Sequence, residues 1–176
     1  MPQRKESPTQ RLTRLALLTA LALIIFVVEL QIPDIVPIPG VKLGLANIIT
    51  VYAVYHYRAG EAFMILLVRI LLASVYSGNI SALIFSLSGG VLCLLGMVCI
   101  KRIIDEDHIW VSSVAGAMLH NIGQIFAAVA VMGTWTVFGY LPFLLVSGGI
   151  AGTFTGLSAQ AVIKRMNKKN KPTDSN

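Results

Sequence analysis

Several polar side chains stand where an otherwise apolar sequence leaves little room for them. Arg69 lies at the centre of one apolar run, and His120, Asn121 and Gln124 lie together in another. Glu29, Asn47 and Asn79 mark the ends of three more. On a helix His120 and Gln124 are one turn apart and share a face, which Asn121 borders. Arg69 offers a fixed fork of donors suited to a phosphate or a carboxylate. The imidazole and the amides both donate and accept, as a heteroaromatic or amide-like ligand requires. Together with Lys42, Asn47 and Asn79 these residues form a candidate binding set, gathered from the midplane to the outer surface as a polar pocket open to the outside. It leans positive and therefore towards an anionic ligand. A competing reading is a purely structural hydrogen-bond network in which Arg69 pairs with Glu29. No second His or Cys stands at metal-ligand spacing, so no metal site is expected. Nucleophile elbow, phosphate loop and His-Glu-x-x-His are all missing from the sequence, so no catalytic residue is assigned. Asp105, Glu106 and Asp107 form a single acidic cluster that reads as a solvated loop.

The elements that must hold these groups are transmembrane helices. Hydrophobic residues make up 56% of the 176-residue chain and charged residues 12%, about half the charged share of an ordinary soluble domain. A bilayer core is crossed by roughly 20 residues of helix. Apolar runs of about that length cover residues 15–30, 43–57, 62–76, 80–100, 109–132 and 140–163. The expected fold is an all-α integral membrane protein, a bundle of six transmembrane helices flanked by basic tails at 1–14 and 164–176. Residues 31–40 carry three prolines and Gly40 and must form a loop.

Six spans put both termini on one side of the membrane. Four basic residues in the first tail, Arg58, Lys101, Arg102 and five in the last tail make twelve on that side, against Lys42 alone on the other. Cytoplasmic loops are enriched in Lys and Arg, so both termini are expected in the cytoplasm of a multi-pass cell-membrane protein. The same distribution accounts for a net charge of +6 without a nucleic-acid partner. Cys93 and Cys99 lie six residues apart in one span; they face different ways and cannot bridge each other.

Small residues recur at helical spacing. Gly148, Gly152 and Gly156 place bare backbone along one face of the last span, a pattern that permits close helix packing. Ala16 and Ala20 have the same spacing in the first span. Ser88-Gly89-Gly90 and Ser147-Gly148-Gly149 echo each other in the fourth and sixth spans.

Two stretches carry a family resemblance. Pro39-Gly-Val-Lys-Leu-Gly-Leu-Ala-Asn47 and Gly116-Ala-Met-Leu-His-Asn-Ile-Gly-Gln124 resemble the signatures of a bacterial membrane family known both as heptaprenyl diphosphate synthase component I and as the Gx transporter family. The chain lacks the paired aspartate motifs of prenyl diphosphate synthases. The resemblance therefore implies either a non-catalytic membrane component of heptaprenyl diphosphate and menaquinone synthesis, a scaffold for quinone enzymes, or a transport subunit. That family is in turn similar to the S components of energy-coupling-factor (ECF) transporters. This likeness implies a small-molecule pocket near the outer face, lidded by the loop at 31–41, and an Ala-x-x-x-Ala docking motif at Ala16 and Ala20. It further implies a transmembrane coupling subunit and two ATPase subunits as partners. The flavin-related neighbours of some relatives imply a flavin such as FAD as ligand.

Overall fold

A computed structural model describes residues 7–32 and 44–170. Lys42 and most of the proline-rich loop lie outside the described residues. Six α-helices run back and forth: α1 (Pro8–Glu29), α2 (Asn47–His56), α3 (Ala59–Ser77), α4 (Ile80–Ile100), α5 (Ile109–Met132) and α6 (Leu141–Asn170). Short 3-10 turns at Glu106–His108 and Trp135–Tyr140 precede α5 and α6. There is no strand among the described residues.

Local chemistry sets the helix ends. Ser7 and Gln10 form a reciprocal capping box with Pro8 at the first turn, a combination that starts helices. α1 therefore begins about two turns before Leu15, inside the stretch expected to be a tail. Gly78 and Gly133 end α3 and α5 in the left-handed conformation, where a residue without Cβ is unstrained. α6 continues through the basic stretch to Asn170 instead of stopping near Ile163. The loop expected before it is partly a 3-10 helix.

Charge separates the two ends of the bundle. At one end Arg11 of α1 pairs with Glu61 of α3. There too Lys164 of α6 reaches Asp107 at 3.0 Å, which holds the Asp107 carboxyl below the usual carboxylate range. Lys101 of α4 donates to the carbonyls of Val54 and Tyr55 at 2.6 and 3.4 Å. At the opposite end the only charged side chain among the described residues is Glu29, which is buried. Trp135, Tyr76 and Tyr140 are exposed there, where interfacial aromatics belong.

Five helices are long and apolar enough to cross a membrane. Their outward faces carry Leu17, Ile24, Leu72, Val75, Leu95, Phe126, Ile150 and Phe154, an apolar surface that hydrocarbon tolerates and water does not. The expected second span is different. α2 has ten residues, about 15 Å of helix against about 30 Å of hydrocarbon. Seven of the ten are buried. It packs among α1, α3, α4 and α6 and presents no large hydrophobic residue to the outside. The left-handed Gly44 and the turn at 45–46 keep the helix from starting earlier. Tyr57, extended, ends it.

Candidate functional site

The short central helix positions the polar groups. Nothing on α2 itself caps its first turn; Ala46 stands at the cap position without a side-chain acceptor. Glu29, at the end of α1, takes that role from outside the helix. Its carboxylate accepts the amide of Gly44 and lies against those of Leu45 and Ala46. An anion at a helix N-terminus complements the helix dipole. Lys101 does the converse at the C-terminus through the carbonyls of Val54 and Tyr55.

Gly44 joins three of these groups. Its amide bonds Glu29, and a Cβ added to it would stand 2.9 Å from Asn47 Nδ2 and 3.5 Å from the His120 ring. His120 reaches across to α4, where Nδ1 faces Gly89; a Cβ on Gly89 would stand 3.0 Å from Nδ1 and 2.9 Å from Gln124 Cγ. Arg69, from α3, lies within electrostatic reach of Glu29, His120 and Cys93. The structure thus brings Glu29, Asn47, Arg69, His120 and Gln124 together, each no more than 6% exposed. A polar pocket open to the outside was expected; these side chains are buried.

The cluster is incompletely satisfied. Asn47 Oδ1, Arg69 Nε, His120 Nδ1 and Gln124 Oε1 are buried without a well-aligned hydrogen-bond partner. Buried polar groups in proteins are nearly always paired, with protein, water or ligand. These atoms fall in one place.

Two expected members stand apart. Asn121 faces α6, donating to the carbonyl of Leu144, and its amide occupies the space left by the missing side chain of Gly148. It ties two helices together. Asn79 caps α4, its side-chain oxygen accepting the Ala82 amide at 3.2 Å. Glu29 joins the cluster within electrostatic reach of Arg69, and Lys42, which gave the expected set its positive balance, lies outside the described residues.

The two Ser-Gly-Gly stretches flank α5 on opposite sides. Ser88 Oγ donates to Gly123 O at 2.8 Å, and Gly89 meets His120 while Gly148 meets Asn121. Gly152 and Gly156 continue this close approach, against Val114, Ser113 and Trp110. Gly44 and Gly89 are the residues that sequence reasoning passed over; both lie in stretches it had marked, without a signal for what they touch. Ala16 and Ala20 are exposed on the outer side of α1, which packs on α3 and α2. No group of three His, Cys, Asp or Glu that could hold a metal occurs among the described residues. Elsewhere, an apolar groove of about 550 Å³ runs between α4 and α5, lined by residues including Leu83, Leu87, Val91, Leu95 and Phe126.

Comparison with known proteins gives one family. The chain belongs to the heptaprenyl diphosphate synthase component I family, whose profile matches residues 18–162. No curated protein and no solved structure matches it.

Proposed function

We propose that this family member is the small-molecule-binding subunit of a membrane transporter of the ECF type, and that the buried polar cluster is where the molecule sits. The concentration of buried polar atoms without a well-aligned partner at Asn47, Arg69, His120 and Gln124 is the observation that carries this reading. A purely structural network would close its hydrogen bonds, since each one left open costs about 1–3 kcal/mol. The basic end faces the cytoplasm, as the excess of Lys and Arg there requires. The site then lies between the membrane centre and the outer face. The chain carries no nucleotide-binding motif, so a coupling subunit and two ATPase subunits supply the driving force. The coupling subunit docks on the exposed Ala16 and Ala20 face of α1, where small residues let helices approach closely. A flavin is the first ligand to try, on the strength of the resemblance alone.

A second reading has its own support. The family name associates its members with heptaprenyl diphosphate synthesis, and the lateral apolar groove between α4 and α5 suits a prenyl chain. On this reading the chain is a non-catalytic membrane component beside a soluble synthase. Affinity purification from native membranes separates the two. Recovery of a transmembrane coupling subunit with ATPases, lost in the Ala16→Leu/Ala20→Leu variant, supports transport. Recovery of a soluble prenyltransferase in their place refutes it.

A further inference from the structure

The charge balance of the cluster narrows the class of molecule it takes, given that it is a binding site as proposed above. Arg69 is cationic at any physiological pH. Glu29 accepts the amide of Gly44 and lies against those of Leu45 and Ala46. The two lie within electrostatic reach of each other. Arg69 and Glu29 are the only formally charged side chains among the described residues of the cluster, and their formal charges offset each other. A buried site that is already balanced penalises any ligand bringing an unmatched charge, of either sign.

The open hydrogen-bonding positions are of both kinds. Arg69 Nε offers a donor and Asn47 Oδ1 and Gln124 Oε1 offer acceptors, while His120 Nδ1 faces the backbone of Gly89. Exchanging the oxygen and nitrogen of either amide leaves the set mixed. An isolated carboxylate, which only accepts, would leave both amide oxygens without a donor. We propose that the cluster binds an uncharged molecule through an amide-like edge, with an N–H donor beside a C=O acceptor, as in a lactam or cyclic imide ring. Any charged part of such a ligand would lie outside the cluster.

The test uses the full chain in lipid nanodiscs and thermal shift as the readout. Uracil and 2-pyridone are the uncharged probes; orotate, which is uracil with an added carboxylate, and inorganic phosphate are the anions. Uracil or 2-pyridone should stabilise the protein with a half-saturating concentration about tenfold or more below that of orotate, and phosphate should give no shift. Gln124→Leu should abolish the response to the uncharged probes while its own unliganded midpoint stays at or above the parent's. Stronger stabilisation by orotate or phosphate, or no shift from either uncharged probe, overturns the proposal. A response to the anions alone leaves the binding reading standing and removes only the uncharged class. Silence from every probe, in a protein that also carries no co-purifying small molecule, removes both.

Discussion

At position 44 both the backbone conformation and the packing require a glycine. Its φ is +78°, its amide holds the Glu29 carboxylate, and a Cβ would press on Asn47 Nδ2 and the His120 ring. The left-handed backbone alone costs about 1–2 kcal/mol in a residue with a Cβ. Gly44→Ala should therefore lower the thermal midpoint, and because it displaces Asn47 it should weaken ligand binding as well. Asn121 and Gln124 should separate in the same assay. Asn121→Ala removes the donor that ties α5 to the Leu144 carbonyl of α6, an oxygen that Ser147 Oγ also reaches at 3.1 Å, so the expected loss is that of one hydrogen bond, about 0.5–1.5 kcal/mol in chemical denaturation. Gln124→Leu removes an atom that has no partner, so stability should be unchanged or higher. The sequence made both residues visible as polar groups at membrane depth. It left their directions open: His120 and Asn121 are neighbours on one helix, and only the packing shows that the first turns to α4 and the second to α6.

Among the helices, α2 was the one least legible in advance. An apolar stretch reads alike whether protein or lipid surrounds it, so hydropathy marked residues 43–57 as one more span. What distinguishes α2 is that both of its ends are capped by charges from other helices, Glu29 from α1 and Lys101 from α4. Such partners are distant in sequence and leave no local pattern. By contrast α4 and α5 begin and end where the apolar runs do, because Asn79 and Gly133 mark their limits in the chain itself. Lys101→Met should strip the cation from the C-terminus of α2 while keeping the apolar stem. The expected result is faster amide hydrogen exchange at Val54–Tyr57 with the other helices unaffected, and a stability loss of up to about 2 kcal/mol. Exchange at Val54–Tyr57 unchanged from the parent would show that Lys101 does not cap α2.

For the molecule as a whole, the distribution of charge was the most legible feature. The alternation of helices collects the basic clusters at one end, as the even number of apolar runs implies, and the described part of the opposite end has only the buried Glu29. In intact cells a cysteine introduced at Gly133 should react with an impermeant thiol reagent, and one at Asp105 should not. Labelling in the opposite pattern would invert the proposed orientation and put the polar cluster nearer the cytoplasm. The enclosure of that cluster was not legible, because it depends on how α2 is surrounded and on the meeting of four other helices around it. The most direct measurement of the central claim is mass spectrometry of the small molecules carried by the purified protein, with the parent and Gln124→Leu prepared side by side and their thermal midpoints recorded. The parent should release a defined small molecule, and the equally stable variant about tenfold less of it, the effect of losing roughly 1.4 kcal/mol of binding. A variant that stays folded and carries the same molecule at the parent's occupancy would contradict the account, and the buried polar cluster would then be a structural network with the ligand bound elsewhere.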